Sequence, residues 1–351
     1  ARITAASVKN AATSSFLISG AGGSIGSEIT RQILLNNPKI IILFEMSEFN
    51  LFKIERECSV IISSENLSTN VIPVLGDIRD TENLKHIFSR YSIDTVYHAA
   101  AYKHVPLVED EHNIAKAAEN NILGTFNIAQ AAIQNNVNSF VMISTDKAVR
   151  PTNVMGATKR FSEIIIQSLN DYNDSIKFSM VRFGNVINSS GSVIPLFIDQ
   201  IALGGPVTIT DKDVMRYFMT IPEASNLVLQ AGELSSGGEV FILDMGEQIK
   251  IYDLAKKLIH LSGRNYANTD TQEGIKIVEI GLRPGEKMYE ELLISGLEIK
   301  TENEKIFKAN ETFVQYDELL PVVLEIQECI LKQDNHGILN ILAEHVEGFE
   351  R

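Results

Sequence analysis

The chain has 351 residues, of which 44% are hydrophobic and 22% charged, with a net charge of −14. This composition fits a globular protein of one large or two ordinary domains, and the acidic balance argues against nonspecific nucleic-acid binding, which needs a basic face. Two cysteines, Cys58 and Cys329, offer neither a disulfide framework nor zinc spacing, which points to a reducing compartment.

Residues 1–14 are small and polar and read as a linker. A short apolar strand at 16–19 then enters a glycine loop. Ile25, Ile29 and Ile33 recur every four residues, which marks one helical face, and Asn36-Asn37-Pro38 stops it. Continuous apolar runs at 40–44, 71–75, 95–100, 140–144 and 178–183 read as strands buried on both faces. Helical segments at 48–62, 80–91, 112–135 and 155–172 lie between them. This alternation predicts an α/β fold with a doubly wound parallel sheet of Rossmann type. After Gly184 glycine and proline become frequent, which predicts a smaller substrate-binding region; 316–346 is amphipathic and helical. The expected organisation is a linker at 1–14, a dinucleotide-binding domain at 15–185, a substrate-binding region at 186–300 whose segments can interleave with it, and a helical tail at 301–351. No apolar run is long enough to span a bilayer. The chain starts at Ala1 and not Met, so it reads as a fragment whose parent can carry a membrane region ahead of it.

Gly20, Gly22, Gly23, Ser24, Ile25 and Gly26 sit between the first strand and first helix. Glycines there permit a tight turn and close approach of a pyrophosphate, which the free N–H groups of the helix N-terminus then face. Glu45 ends the second strand, about 20 residues on, where an acid holds the adenine ribose 2′-OH; it favours NAD and disfavours NADP. Asp77 and Ile78 follow the third strand and could bracket the adenine. Ala99, Ala100 and Ala101 follow the fourth, suited either to close cofactor approach or to tight packing.

The strand at 140–144 points its C-terminal end at Thr145, Asp146 and Lys147, where ligands bind in open parallel sheets. Lys159 falls one turn beyond Met155 on the next helix. In a large class of nicotinamide enzymes this spacing is Tyr-x-x-x-Lys, with tyrosine as acid/base. A thioether has no proton to exchange, so Met155 fills space, while a hydroxyl, a carboxyl and an amine stand just upstream. Tyr252 and Lys256 repeat the spelling on a later amphipathic helix and read as a decoy. The seven histidines show no metal-ligand spacing, and no metal is expected.

The chain resembles an extended short-chain dehydrogenase/reductase, and more narrowly the bacterial, membrane-anchored type of UDP-N-acetylglucosamine 4,6-dehydratase of surface-polysaccharide biosynthesis. The resemblance covers about 14 to 300. It rests on Gly20 to Gly26, His98-Ala99-Ala100-Ala101-Tyr102-Lys103-His104, Asn121-Ile122-Leu123-Gly124-Thr125, the stretch 144–159, Arg182-Phe183-Gly184-Asn185, Met215-Arg216-Tyr217-Phe218 and Arg283-Pro284-Gly285-Glu286-Lys287. Methionine in place of tyrosine is itself a mark of that group. The resemblance implies Lys147 as base at sugar C5, Asp146 as acid for the departing C6 hydroxyl, Thr145 orienting the C4 hydroxyl and Lys159 on the ribose. It implies Asn121 near the cofactor, Lys103 and Asn185 at the cofactor–substrate junction, and Arg216, Arg283 and Glu286 toward the uridine diphosphate end. It also implies NAD as cofactor, a UDP-sugar as substrate, retention at C5, a homo-oligomer and a catalytic domain on the cytoplasmic face of the inner membrane.

The chemistry requires one base and one acid beyond the hydride machinery, because hydroxide is a poor leaving group. Free Asp and Lys ionise near 4 and 10.4, so both would have to start neutral; burial and nearby cations are expected to push Lys147 down. A nucleotide-sugar epimerase or reductase, and a non-catalytic dinucleotide-binding sensor, are the competing readings.

Overall fold

The computed structural model describes Val8 and residues 10–267, 273–292 and 298–350. Most of the linker expected at 1–14 lies outside these residues, but Val8 and Ala11 are buried against the first strand's side of the core. β1 (Ser15–Ser19), α1 (Ser24–Leu34), β2 (Ile40–Glu45), α2 (Glu48–Glu65), β3 (Asn70–Leu75), α3 (Thr81–Arg90) and β4 (Thr95–His98) alternate as the apolar runs require. There follow α4 (Val105–Val108), α5 (Ile114–Ala118), α6 (Gly124–Gln134), β5 (Ser139–Ile143), α7 (Val154–Tyr172) and β6 (Lys177–Arg182).

The predicted helix at 112–135 is broken by a π turn at Glu119–Leu123. The extra residue turns Asn121 toward the loop after β4: its Oδ1 accepts the Tyr102 N–H at 2.8 Å, and its Nδ2 donates to the Tyr102 carbonyl at 3.0 Å. Such bulges interrupt helices where a side chain must be re-aimed.

Beyond Arg182 come β7 (Asn185–Ile187), α8 (Val193–Ala202), β8 (Val207–Ile209), β9 (Met215–Arg216), β10 (Phe218–Thr220), α9 (Ile221–Leu234), β11 (Val240–Leu243), β12 (Ile249–Lys250), α10 (Ile251–Leu261), β13 (Ile277–Glu279), β14 (Ile299–Lys300), β15 (Ile306–Ala309), α11 (Tyr316–Leu331) and α12 (Asn335–His345). The main sheet runs β14-β15-β11-β6-β5-β4-β1-β2-β3. From β3 to β11 every pairing is parallel; β15 and β14 close that edge antiparallel. Sheet and core therefore draw on segments from both sides of residue 185. The stretch from 301 begins with a strand, and α11 and α12 then pack over α7.

The chain reverses its winding direction between β1 and β4, which opens a crevice at the strands' carboxyl ends. α7 lines one side of it. Val154 to Leu169 is buried throughout, because sheet and C-terminal helices cover both sides of this helix. Two of its charged members are paired: Glu163 bonds Arg182 through both oxygens, at 2.8 and 2.6 Å, Arg160 lies 3.1 Å from Glu163, and Arg182 reaches Glu311 at 2.6 Å. Among the described residues no helix is long and apolar enough to cross a membrane.

Candidate active site

Three glycines of the loop, Gly20, Gly22 and Gly26, admit no side chain. A Cβ on Gly26 would lie 2.1 Å from the Gly20 carbonyl oxygen, and one on Gly22 would lie 2.5 Å from the Asn50 Cβ. Gly20 has φ +70° and packs against the Ala100 backbone, so the loop and the alanine run need small residues for each other. Glu45 braces the loop from β2: its carboxylate accepts the Gly22 N–H at 3.0 Å and the Ser47 N–H at 2.9 Å. One end of the crevice is lined by Gly20, Gly23, Glu45, Asp77, Ile78, the three alanines and Asn120. Asp77 pairs with Arg79; burial opposes its charge, and the guanidinium outweighs that and holds the carboxyl below its ordinary value. Asn120, and not the anticipated Asn121, reaches this wall; Asn121 is buried behind it, holding the Tyr102 backbone.

The other end is a cleft of about 430 Å³, within the range of small-molecule sites. Gly22, Gly23, Ser24, Ile25 and Gly26 form its floor. Lys103, Thr145, Lys147, Met155, Lys159 and Asn185 line its walls. The side chain of Asn153 caps α7 by accepting the Gly156 N–H at 2.8 Å, which fixes the first turn carrying Met155 and Lys159. Lys159 donates to the Ile143 carbonyl at 2.8 Å; burial pulls its amine down to about 8, against Glu163.

Thr145 to Ala148 form a tight turn at the end of β5. Lys147 Nζ lies 2.9 Å from Asp146 Oδ1 and 3.3 Å from Asn185 Oδ1. Thr145 Oγ1 also donates to Asp146 Oδ1, at 2.9 Å. Thr145 and Lys147 face the cleft, whereas Asp146 is fully buried beneath them and is absent from its lining.

One expectation is corrected. Lys147 is not pushed toward the neutral amine: burial acts in that direction, but Asp146 and Glu290 outweigh it and raise the amine above its ordinary value. Glu290 carried no motif signal. It is buried, its Oε1 lies 3.8 Å from both Lys147 Nζ and Arg216 Nε, and its Oε2 has no hydrogen-bond partner.

The C-terminal lobe reaches this centre through 283–290. Gly285 docks on the α7 cap, where its carbonyl accepts from Thr152 and Asn153 at 2.9 and 3.1 Å. Arg216 is buried, bonded to Glu286 at 3.1 Å and to the Met215 and Met288 carbonyls. Arg283 is exposed, and its backbone N–H donates to Glu286. Arg216, Arg283 and Glu286 thus cluster with one another, outside the cleft wall that Lys103 and Asn185 share. His98 is a buried strut between Ser19 at 2.7 Å and Thr125 at 2.9 Å. Lys256 lies over the Tyr252 ring at 4.1 Å, in a separate core cluster away from the crevice.

Residues 16–311 match the family model described as "Polysaccharide biosynthesis protein". The chain belongs to this polysaccharide biosynthesis family. Within it the chain is 53% identical over 277 residues to capsular polysaccharide biosynthesis protein CapD of Staphylococcus aureus, covering 79% of this chain and 44% of that protein. It therefore spans somewhat less than half of that relative's length. It is 35% identical to a UDP-N-acetylglucosamine 4,6-dehydratase (inverting) of Campylobacter jejuni and 35% identical to a UDP-glucose 4-epimerase of Rickettsia canadensis, in each case over 80% of this chain and 77% of the other. The crystal structure of Pen from Bacillus thuringiensis superposes with a TM-score of 0.74 at 34% identity, covering 90% of this chain and 98% of that one. The fold of this polysaccharide biosynthesis protein is that of an extended short-chain dehydrogenase/reductase.

Proposed function

We propose that this domain catalyses the NAD-dependent 4,6-dehydration of UDP-N-acetylglucosamine to the UDP-4-keto-6-deoxy sugar, for surface-glycan biosynthesis. The observation that carries this reading is the Lys147–Asp146 pair, joined at 2.9 Å beside Met155 and Lys159. An acid and a base thus stand beside the position where the superfamily keeps a phenol and this chain has Met155. The Campylobacter relative supports the same reaction class.

The residues fit a dinucleotide. Gly20, Gly22 and Gly26 admit no side chain, and α1 opens from Gly23 with no side-chain cap, leaving its first N–H groups for a pyrophosphate. Gly20, Gly22, Gly23, Ser24, Ile25 and Gly26 would hold that pyrophosphate, and Glu45 the adenine ribose. Asp77 and Ile78 would flank the adenine, Ala99, Ala100 and Ala101 would back the cofactor, and Lys159 would hold the nicotinamide ribose. When bound, NAD supplies the acceptor for the C4 hydride and gives it back at C6.

The protein handles the protons. At rest the pair is an ammonium and a carboxylate. Moving one proton along the 2.9 Å hydrogen bond converts it into the amine and acid that the elimination needs, with no change in net charge. A substrate that displaces water favours the neutral pair, because two buried charges are costly. Lys147 then takes the C5 proton, exchanges it with solvent and reprotonates C5 on the same face, which retains configuration. The C4 hydroxyl proton leaves first, through Thr145 and water to solvent as the hydride departs; Asp146 then gives a proton to the departing C6 hydroxyl and regains one from solvent. Thr145 Oγ1, which touches Asp146 Oδ1 and faces the cleft, carries both exchanges. Protons balance over the cycle, and one water leaves. Lys103 and Asn185 would meet the sugar; Arg216, Arg283 and Glu286 would turn toward the diphosphate.

The test is incubation with UDP-N-acetylglucosamine and NAD in deuterated water, followed by NMR. A C6 methyl with deuterium at C5 is the expected product. An intact C6 hydroxyl with inverted C4 would establish the epimerase reading that the Rickettsia relative supports, and bound NAD without turnover would establish a sensor.

A further inference from the structure

Lys147 is held between two carboxylates that come from different parts of the chain. Asp146 approaches from the β5 turn at 2.9 Å, and Glu290 from the segment after Gly285 at 3.8 Å. The placement of Glu290 is built. Its backbone carbonyl accepts from Gln248 at 3.0 Å, and its neighbour Met288 binds both the Met215 N–H and Arg216. Its own carboxyl is buried, with Oε2 unpartnered, although a carboxyl in the interior ordinarily satisfies both oxygens. Asp146 Oδ2 is buried and unpartnered in the same way. Two orphaned oxygens on either side of one amine are more polar capacity than a structural ion pair requires.

We propose that Glu290 is a positioning residue for Lys147: reaching in from the C-terminal lobe, it holds the amine between two carboxylates and sets how readily that amine releases its proton. The inference rests on the reading of Lys147 as the base. The charged groups facing the pair are Asp146, Arg216, Lys287 and, across the cleft, Lys103. Burial and the Asp146 charge push the Glu290 carboxyl up, so it takes up a proton more readily than an exposed glutamate. At 3.8 Å Glu290 acts on Lys147 through its charge, and the shared proton stays on the Lys147–Asp146 hydrogen bond.

The test is Glu290→Gln, which keeps size and hydrogen-bonding capacity and removes the charge, with Glu290→Asp as the conservative partner. Two readouts are taken on the full protein with NAD bound. The Lys147 amine is titrated by NMR after [15N]lysine labelling, its signal assigned with Lys147→Arg; kcat and KM for UDP-N-acetylglucosamine are followed against pH. Glu290→Gln is expected to lower the Lys147 midpoint by about one pH unit or more, as loss of an opposite charge this close does. It should move the rising limb of kcat the same way and leave KM within about twofold, and Glu290→Asp should restore most of the shift. An unchanged Lys147 midpoint in a folded Glu290→Gln protein overturns the proposal, whatever the protein turns over. A shifted midpoint in a protein that makes no 6-deoxy product upholds the Glu290–Lys147 link and removes only the dehydratase reading. Should Glu290→Gln fail to fold, Glu290→Asp decides alone: its shorter side chain sets the carboxylate farther from Lys147, so a smaller downward displacement of the midpoint is expected and none at all overturns the proposal.

Discussion

Gly184, just past β6, leaves room for Asp146: a Cβ there would stand 3.0 Å from Asp146 Oδ2 and 3.0 Å from the Tyr217 Cβ. Gly184→Ala is therefore expected to displace the Asp146 carboxyl from Lys147 and Thr145. A displacement of this kind at a reacting group costs on the order of tenfold to a hundredfold in rate. The check is kcat for dehydration together with NAD affinity, which should hold because the glycine loop is untouched. Equal losses in both would place the damage in the fold.

Lys147→Ala and Asp146→Asn each remove one half of the proton-transfer pair. Each is expected to lower kcat by roughly 10²- to 10⁴-fold, the usual contribution of a general acid or base, with NAD binding retained. Exchange of the substrate C5 proton with solvent separates the two. Lys147→Ala abolishes it, whereas Asp146→Asn leaves oxidation at C4 possible and slows the loss of water.

Glu45 braces the glycine loop while facing the adenine end of the crevice. Glu45→Ala removes the negative charge that would repel a 2′-phosphate and also loosens Gly22. NAD should bind more weakly and the preference for NAD over NADP should shrink. Both dissociation constants, measured by calorimetry, test this; an unchanged ratio would assign the preference elsewhere.

Lys159 is buried with its amine drawn down to about 8 from an ordinary 10.5. Its folded-state value lies below its unfolded one, so the unfolded chain binds more protons between these two pH values and stability rises with pH across the window. Relative to Lys159→Met, the wild type should gain about 3 kcal/mol of stability on going from pH 8 to pH 10.5. Paired denaturant titrations at the two pH values measure the difference directly. Below pH 8 the ammonium persists, available to a ribose hydroxyl.

Glu163 sits with Arg182, Arg160 and Ser144 at the back of the site. Burial alone would raise its carboxyl, but Arg182 prevails and holds it at about 2. Its contribution to stability is present above the ordinary 4.5 and is lost as pH falls toward 2. Glu163→Gln leaves Arg182 without its main anion and should cost about 3–5 kcal/mol at neutral pH. The acid limb of the stability profile should also flatten, as urea unfolding between pH 2 and 5 would reveal.

Much of the architecture was legible because it is written locally. Apolar runs at 40–44 and 140–144 are strands since nothing polar interrupts them, and Gly20 to Gly26 read as a phosphate turn because only glycine tolerates that backbone approach. Thr145, Asp146 and Lys147 are neighbours in sequence, so their meeting needed no folding information. The short strands β11 and β15 have weaker patterns, and joined the sheet only through partners far away in the chain. The π turn was hidden for a similar reason: a helical period does not report one inserted residue.

The amino-acid order by itself determined the doubly wound sheet, the glycine turn at the head of its first helix and the carboxyl and amine that stand upstream of Met155, since these follow from period, spacing and side-chain chemistry. Only the tertiary structure decided that Asp146 lies beneath the cleft wall, that Asn120 and not Asn121 reaches the other end of the crevice, and that Lys147 rests charged. Those outcomes depend on burial and on Glu290, whose distance from Lys147 exists only once the C-terminal lobe has docked on the α7 cap.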